Sequence, residues 1–347
     1  GRARRGPPPA PCAGRAPGRE QGGAAIRIQL SLACGDSDLN RALVSGLVQP
    51  AGIELVGLTM PSPERHRRML VYEEFDVCEF SLATYLLARE AGRPFAAIPA
   101  FPHRRFRHSY VFCRTDAGIE SPADLAGKRV GLDTVQNTAG LWVRGTLQDV
   151  YGLRLASVQW WTQEAEDLPL ARPEILAARR VPAGTDLDTL LVRGELDAVI
   201  YPEILPSFAK GEPRVRRLFR DPKGAEQAYY RQTGIFPIMH TVVIHRRVLD
   251  RHPWVAVNLL EAFRASKAHA YRQLDDPRRF ALAWVRDLVE EERALLGPDP
   301  WAYTVADNRH ALETVIRYAV EQGLLARAPR VEELFVPSTL EALPRYL

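Results

Sequence analysis

The stretch Ser121-Pro-Ala-Asp-Leu-Ala-Gly-Lys-Arg-Val-Gly131 decides the fold, because it joins a helix start directly to a β-strand. Ser121 at a helix N-cap, followed by Pro122, is typical of the first turn of a helix. The apolar residues after it predict a strand over 129–132. A second α/β unit therefore begins here, and the chain on either side is expected to contain similar units.

The regions on both sides of this stretch alternate between strand and helix patterns. Strands are predicted at 26–32, 53–58, 75–80, 97–101, 109–113, 158–161, 196–201 and 237–245. Helices are predicted at 63–72, 82–89, 139–151, 186–193, 253–272, 277–292 and 305–321. Such alternation predicts an α/β fold with mostly parallel sheets.

Length and composition predict two globular domains and argue against several classes of partner. A chain of 347 residues exceeds the size at which one core usually divides, and its 46% hydrophobic content is ordinary. Its 46 Lys and Arg nearly balance 42 Asp and Glu, so nucleic-acid binding is not expected. The sequence has no apolar run of membrane-spanning length, so no membrane association is expected.

The cysteines and the first residues bear on location. Cys12, Cys34, Cys78 and Cys113 are far apart and form no zinc-finger spacing, which fits a reducing, cytoplasmic location. Residues 1–25 are rich in Arg, Pro, Gly and Ala and lack the apolar segment of an export signal. We expect them to be a disordered leader, or an upstream extension of the reading frame, and we do not expect Cys12 to carry a lipid.

Several phrases of the sequence resemble known families. Asp124-Leu-Ala-Gly-Lys-Arg-Val-Gly131 and Gly194-Glu-Leu-Asp-Ala-Val199 resemble type 2 periplasmic binding proteins, which share a fold and not one function. More specific phrases are Phe101-Pro-His-Arg-Arg-Phe-Arg-His-Ser109, Asn137-Thr-Ala-Gly-Leu-Trp-Val-Arg-Gly-Thr-Leu-Gln-Asp149, Thr233-Gly-Ile-Phe-Pro-Ile-Met-His-Thr-Val-Val243, Pro253-Trp-Val-Ala256, Asn308-Arg309 and Glu321-Gln-Gly-Leu324. Together they are similar to the 4,5-dihydroxyphthalate decarboxylase family, from about residue 26 to the C-terminus.

This resemblance implies a two-lobed α/β fold like that of type 2 periplasmic binding proteins, with a ligand cleft between the lobes. The chain would cross between lobes near 102–109 and 234–241. Lobe I would then comprise 26–105 and the helical return 241–347, and lobe II would comprise 106–240.

The resemblance also implies an activity. This is the cofactor-independent decarboxylation of a hydroxylated aromatic dicarboxylate, of the type that converts 4,5-dihydroxyphthalate to 3,4-dihydroxybenzoate. The alternative is a non-catalytic solute-binding protein for an aromatic acid or a thiamine-precursor-like ligand. The partner would in either case be a small aromatic carboxylate, and a homo-oligomer is left open.

Candidate ligand-binding residues follow the carboxyl ends of strands, where ligands of open α/β sheets bind. This rule selects Asp36, Asp38, 79–84, 134–138, Tyr201 and Glu203. Asn137 and Thr138 begin a helix, whose free N–H groups attract an anion. The alternative for that pair is a plain helix cap.

The two predicted crossings and one helix supply the remaining candidates, which are Arg104, Arg107, His108, Ser109, Trp142, Arg144, His240 and Thr241. Arginine forks can hold carboxylates bidentately, and histidines can move protons near neutral pH. The alternatives are a solvated charge run, a packing tryptophan and a core histidine.

The family mechanism implies specific roles for these residues. His108 or His240 would donate the proton, Asp36 or Glu203 would hydrogen-bond the phenol, and Arg107 with Arg144 would clamp carboxylate. A divalent metal is also left open, because His103, His108, His240 and Asp36 could converge in space, although no linear metal motif supports it.

Overall fold

The computed structural model describes Gly1 and residues 27–341, so the predicted leader, including Cys12, lies outside the described residues apart from Gly1. The strands are β1 (Ile28–Cys34), β2 (Ile53–Thr59), β3 (Val77–Ser81), β4 (Phe95–Ile98), β5 (Val111–Arg114), β6 (Arg129–Leu132), β7 (Gln159–Thr162), β8 (Arg179–Arg180), β9 (Ala198–Ile200), β10 (Val215–Arg217) and β11 (His240–His245). The helices are α1 (Asp38–Val44), α2 (Ser62–Tyr72), α3 (Leu82–Glu90), α4 (Thr138–Asp149), α5 (Leu187–Arg193), α6 (Pro206–Ala209), α7 (Pro222–Thr233), α8 (Arg246–Leu249), α9 (Val255–Leu274), α10 (Val285–Leu296) and α11 (Val305–Glu321). In this part of the chain no helix is long and apolar enough to cross a membrane.

The strands form two mixed sheets. The first has the order β2-β1-β3-β11-β4, and the second has the order β10-β5-β9-β6-β7-β8. In the first sheet β1 runs parallel to β2 and β3, whereas β11 runs antiparallel to β3 and β4. In the second sheet β6 runs parallel to β7 and β9, and β5 runs antiparallel to β9 and β10.

The insertion of β11 positions the site. The chain enters the second sheet at β5 and returns to the first sheet only at β11, which lies between β3 and β4. This pairing places His240 opposite Ser81 and Val242 opposite Glu79. Residues that are far apart in sequence therefore meet at the carboxyl end of β3.

The helix in the stretch 121–131 is shorter than the α-helix that the sequence pattern predicts. Pro122–Leu125 is a single 3-10 turn, because the chain must enter β6 only four residues later. Oδ2 of Asp124 accepts hydrogen bonds from the backbone N and the Oγ of Ser121 at 2.8 and 2.9 Å. Other predicted elements also shifted: α10 begins at Val285 and not near 277, while α7 and β10 occupy a region for which no element was predicted.

Helices α4 and α11 pack closely, which ties the second sheet to the C-terminal helices. The rings of Trp142 and Tyr318 meet edge-on with centroids 5.7 Å apart. The hydroxyl of Tyr318 donates to Asp149 at 2.9 Å. Gly145 makes this approach possible, since a Cβ atom at this position would lie 2.2 Å from the Tyr318 ring.

We predict that Gly145→Ala destabilises the protein, although alanine is favoured over glycine by about 1 kcal/mol in a helix interior. Forcing a methyl group into a packed contact typically costs roughly 1–3 kcal/mol. Urea unfolding of Gly145→Ala, Tyr318→Ala and the double variant measures this cost. Gly145→Ala should lower the free energy of unfolding less in the Tyr318→Ala background, where the ring is absent. A Gly145→Ala protein as stable as the parent would show that the helices do not need this contact.

Candidate active site

A buried glutamate–histidine pair lies where β3 and β11 meet. The Nδ1 atom of His240 lies 2.6 Å from Oε1 of Glu79, and both side chains are buried. His240 lies opposite Ser81 and Glu79 lies opposite Val242, so His240 and Glu79 are diagonal neighbours on one face of the sheet. Histidine paired with a carboxylate is a common arrangement for moving protons.

Three further groups bind the Glu79 carboxylate. The backbone N–H of Gly35 and the amide of Asn40 donate to Oε2 at 2.8 and 2.9 Å. The guanidinium of Arg65, which is fully buried, lies 3.3 Å from Oε1. Burial alone would raise the pKa of Glu79, but His240, Arg65 and Gly35 together hold that pKa well below its usual range. Glu79 is therefore ionised.

His240 is the neutral partner of this pair. Burial lowers the pKa of His240, although the adjacent Glu79 carboxylate opposes the shift. The imidazole ring is flanked edge-on by His103 and His66, with centroids at 4.6 and 4.9 Å. We call His66, His103 and His240 the histidine cluster.

The other members of the histidine cluster are also neutral. Burial, and then the proximity of His240, lowers the pKa of His103 and of His66 far below the usual range. The Nε2 atom of His66 is buried without a hydrogen-bond partner among the described residues. The cluster thus presents uncharged imidazoles next to one fixed carboxylate.

Arg107 is a buried cation beside the histidine cluster. Its Nη1 donates to the carbonyl of Pro202 at 2.7 Å, and its guanidinium lies over the Tyr110 ring. Within residues 27–341 no carboxylate lies within 4.0 Å of it, and it is 7% exposed. Burial, and then the nearby Arg105, lowers the pKa of Arg107 to about 9. A buried guanidinium without a counterion favours an incoming anion.

The side chains of Asn137 and Thr138 form hydrogen bonds within the protein. Oδ1 of Asn137 accepts from the N–H groups of Ala139 and Gly140 at 2.8 and 3.3 Å, so the start of α4 is already capped. Oγ1 of Thr138 contacts Oγ of Ser81 at 2.8 Å and accepts from the N–H of Ala83 at 3.0 Å. Thr138 thereby joins the start of α4 to the start of α3.

Several other predicted residues have their polar groups bound inside the fold. Arg104 donates to Oδ1 of Asn308 and to the carbonyls of Ala302 and Phe236. Ser109 donates to Glu226 through both its N–H and its hydroxyl, at 3.1 Å each. These contacts stabilise the fold, and the predicted contact of both residues with substrate stays a prediction.

Trp142, Arg144 and Thr241 are fully buried. Nε1 of Trp142 donates to the carbonyl of Ile238 at 2.9 Å, and the hydroxyl of Thr241 donates to that of Ile98 at 3.2 Å. Arg144 donates to Gln322 at 2.7 Å and to the carbonyl of Val135 at 2.6 Å. Burial lowers the pKa of Arg144 to about 9.

Asp36, Tyr201 and Glu203, which were predicted at strand ends, are exposed or half-buried. Asp36 is exposed and lies 3.4 Å from Arg41. Glu203 is also exposed, whereas Tyr201 is half-buried, and burial followed by the charge of Asp133 raises its pKa. No hydrogen bond or ion pair joins Asp36 or Glu203 to the histidine cluster in the described part of the chain.

His108 is separated from His240 and lies in an apolar pocket. Its ring packs against Phe219, Tyr229 and Tyr151, with centroids at 4.8, 5.5 and 6.0 Å. Neither ring nitrogen has a hydrogen-bond partner among the described residues. Burial lowers the pKa of His108 to about 4.

A metal ion could contact one set of side chains among residues 27–341. One ligand atom from each of Glu79, His103 and His240 lies within 4.8 Å of the others. Of the group predicted to converge, the structure brings together His103 and His240, and places Asp36 and His108 elsewhere. A metal would compete with the hydrogen bonds on both Glu79 oxygens and with the Arg65 charge, so the donor set fits an ion poorly.

Two important residues were not selected individually from the sequence. Glu79 lies within the stretch 79–84, which was selected because it follows a strand. Its partner His240 becomes apparent only when β11 pairs with β3. His66 lies on α2 and has no sequence signal, because its contact with His240 bridges distant elements.

Comparisons with known proteins identify similar sequences. A protein named 4,5-dihydroxyphthalate decarboxylase from Comamonas testosteroni is 37% identical over 325 residues, which cover 91% of this chain and 98% of that protein. A protein of the same name from Pseudomonas putida is 38% identical over 212 residues, covering 59% of this chain and 82% of that protein. Residues 37–167 match a family described as ABC transporter, phosphonate, periplasmic substrate-binding protein.

Comparisons with solved structures identify the fold. The periplasmic aliphatic sulphonate binding protein SsuA from Escherichia coli has a TM-score of 0.53 at 13% identity, over 90% of this chain and 98% of that one. The desulfurization enzyme DSZB has a TM-score of 0.51 at 15% identity, over 90% and 99% of the two chains. The fold is therefore the two-lobed α/β fold of periplasmic solute-binding proteins, as predicted.

We predict that His108→Phe makes stability less dependent on pH. The unfolded histidine binds a proton near pH 6.5, whereas the buried one does so only near pH 4. The unfolded state therefore binds more protons between these values, and the free energy of unfolding falls as the pH is lowered through that window. Denaturant unfolding between pH 7.5 and pH 4.5 should show a smaller fall in the variant. The matched control is the exposed His310→Asn, and an unchanged fall in His108→Phe would contradict the prediction.

Proposed function

Because this chain belongs to the 4,5-dihydroxyphthalate decarboxylase family, we propose that it is a carboxy-lyase that decarboxylates a hydroxylated aromatic dicarboxylate. The reaction would be of the type that converts 4,5-dihydroxyphthalate to 3,4-dihydroxybenzoate. One observation carries this proposal for the chain itself: the buried Arg107 guanidinium without a counterion lies beside the neutral histidine cluster.

The chemistry of this decarboxylation needs proton transfer and carboxylate binding, which histidines and an arginine can provide. Each carboxylate of the substrate is para to a hydroxyl, so an ionised phenol pushes electron density onto the carbon that bears the carboxylate. A proton adds to that carbon, its bond to the carboxylate breaks, and the electron pair restores the aromatic ring as carbon dioxide leaves. The ring is its own electron sink, and the reaction needs no pyridoxal phosphate or thiamine cofactor.

His240 is the proposed proton donor. Its Nδ1 is bound to Glu79, so Nε2 is the atom that can carry a proton to the substrate. Burial lowers the pKa of His240 and leaves it neutral, but a dianionic substrate close to it would favour the imidazolium. Substrate binding would thereby promote protonation of His240, the general acid.

Arg107 and His103 complete the proposed constellation. Arg107 would bind the carboxylate that remains on the product, because a guanidinium forms charge-assisted bonds to both oxygens. Burial lowers the pKa of His103, but the charge of a bound dianionic substrate would raise it again, and His103 next to His240 is the proposed base for the phenol. Asp36 and Glu203 lie at the exposed rim, so their proposed contact with the phenol would require closure of the cleft.

The alternative function is binding without turnover. The match of residues 37–167 to the phosphonate-binding family and the fold shared with SsuA favour a solute-binding protein. The same Arg107 would then hold the acid group of the ligand. Measured turnover distinguishes the two functions.

We also propose that the protein works in the cytoplasm. The support is that Cys34, Cys78 and Cys113 are unpaired thiols, which persist in a reducing compartment. Association into a homo-oligomer stays a prediction.

The first test of this function is a turnover assay of the full chain. Incubation with 4,5-dihydroxyphthalate should release carbon dioxide and form 3,4-dihydroxybenzoate, with and without a chelator. In His240→Asn the turnover per folded molecule should fall by at least ~10²-fold, because a general acid is lost. His108→Asn is the control and should turn over normally once it is corrected for folded fraction. Tight binding of the acid without product would support the binding protein instead.

The second test separates a ligand-binding arginine from a structural one. Arg107→Met should weaken binding of a phthalate-type dicarboxylate roughly 10- to 100-fold but leave a neutral catechol nearly unaffected, because a charge-assisted pair contributes roughly 1.5–3 kcal/mol. Arg144→Met, whose parent side chain is bound to Gln322 and Val135, should lower stability without this selectivity. Calorimetric titration measures both affinities. Equal losses for both ligands in Arg107→Met would show that Arg107 does not bind the carboxylate.

A further inference from the structure

We propose that Glu79 is a positioning residue that holds the His240 proton on Nδ1 and so reserves Nε2 for the cleft. This inference rests on the proposed role of His240 as the proton donor. It assigns to Glu79 no contact with the substrate.

The hydrogen bond itself sets the tautomer. An ionised carboxylate can only accept hydrogen bonds, so a contact of 2.6 Å with Nδ1 requires a proton on that nitrogen. In a neutral imidazole the other nitrogen, Nε2, must then carry the lone pair. Without the carboxylate, the proton could occupy either nitrogen.

The carboxylate is the fixed member of the pair. Gly35 follows β1, Asn40 lies on α1 and Arg65 lies on α2, and all three donate to Glu79 or contact its charge. Arg65 also donates to the backbone carbonyl of Glu79 at 2.8 Å. Three elements therefore hold Glu79, and the imidazole of His240 must orient toward it.

The charge of Arg65 keeps the proton on the histidine. A guanidinium at 3.3 Å makes the Glu79 carboxylate a poor base, so the proton of Nδ1 is not transferred to it. When His240 takes a second proton, the same carboxylate stabilises the imidazolium. Loss of the Glu79 charge should therefore make His240 harder to protonate.

This argument fixes the sign of a pH effect. A reaction that needs protonated His240 slows as the pH rises through the pKa of that histidine in the complex. If Glu79→Gln lowers this pKa, the falling limb of the kcat profile must move to lower pH, by about one unit for the loss of one adjacent charge. A purely structural role would lower stability without moving the limb.

The chain offers a matched control. Nε2 of His245 lies 3.2 Å from Oε2 of Glu73, a second glutamate–histidine pair at the other end of β11. Glu73 is one-third exposed and is not part of the histidine cluster. Glu73→Gln removes the same chemical interaction away from the cleft.

The experiment combines kcat measurements against pH with ¹⁵N spectra of the imidazoles in the full chain, assigned by comparison with His240→Asn. His240 of the parent protein should carry its proton on Nδ1, and Glu79→Gln should show a mixture of tautomers. We expect kcat of Glu79→Gln to fall about 10-fold or more, with its limb shifted to lower pH and KM nearly unchanged. Glu79→Asp should restore part of the activity, and Glu73→Gln should match the parent.

Two outcomes would overturn the proposal. One is a proton on Nε2 of His240 in the parent protein, a result that stands even if Glu79→Gln does not fold. The other is a folded Glu79→Gln protein with an unchanged tautomer and an unchanged pH limb. If the parent protein has no turnover, the proposed function fails, and the tautomer still decides the role of Glu79.

Discussion

A carboxylate buried as completely as that of Glu79 must be compensated by hydrogen bonds and opposite charge, and the first sheet is arranged around this requirement. The end of β1, helices α1 and α2, and strand β11 each supply one partner. Each of these elements must therefore be in place before the charge is stable. The same requirement aligns the elements that carry Glu79 and His240, so stability and the geometry of this pair depend on a single interaction.

The order of strands and helices could be predicted largely from the sequence, because it depends on local periodicity. Helix α11 ends at the predicted residues, and β6 follows 121–131 as predicted. The polar helix α7 and the short strand β10 were missed because neither has a strong apolar period. The antiparallel insertion of β11 could not be predicted from periodicity, since pairing partners are chosen by tertiary packing.

The site could be predicted only in part. The basic run at 102–109 contains two buried guanidiniums, neither with a carboxylate within 4.0 Å among the described residues, but sequence alone could not show that Arg104 is bound by Asn308 and backbone carbonyls whereas Arg107 lies near His240. Trp142 and Arg144 are buried, and their polar atoms donate hydrogen bonds to groups inside the protein. The contacts of His66 and Glu79 with His240 link residues more than 150 positions apart, and no spacing rule detects them.

The position of β11 between β3 and β4 has a consequence for how the chain is made. A ribosome completes β3 and β4 more than 140 residues before it releases His240, so the nascent first sheet has an open slot flanked by unpaired strand edges. The whole second sheet must be synthesised during this interval, and long-range pairing of this kind is slow. The Glu79–His240 pair can therefore form only after the second sheet has been synthesised and β11 has filled the slot.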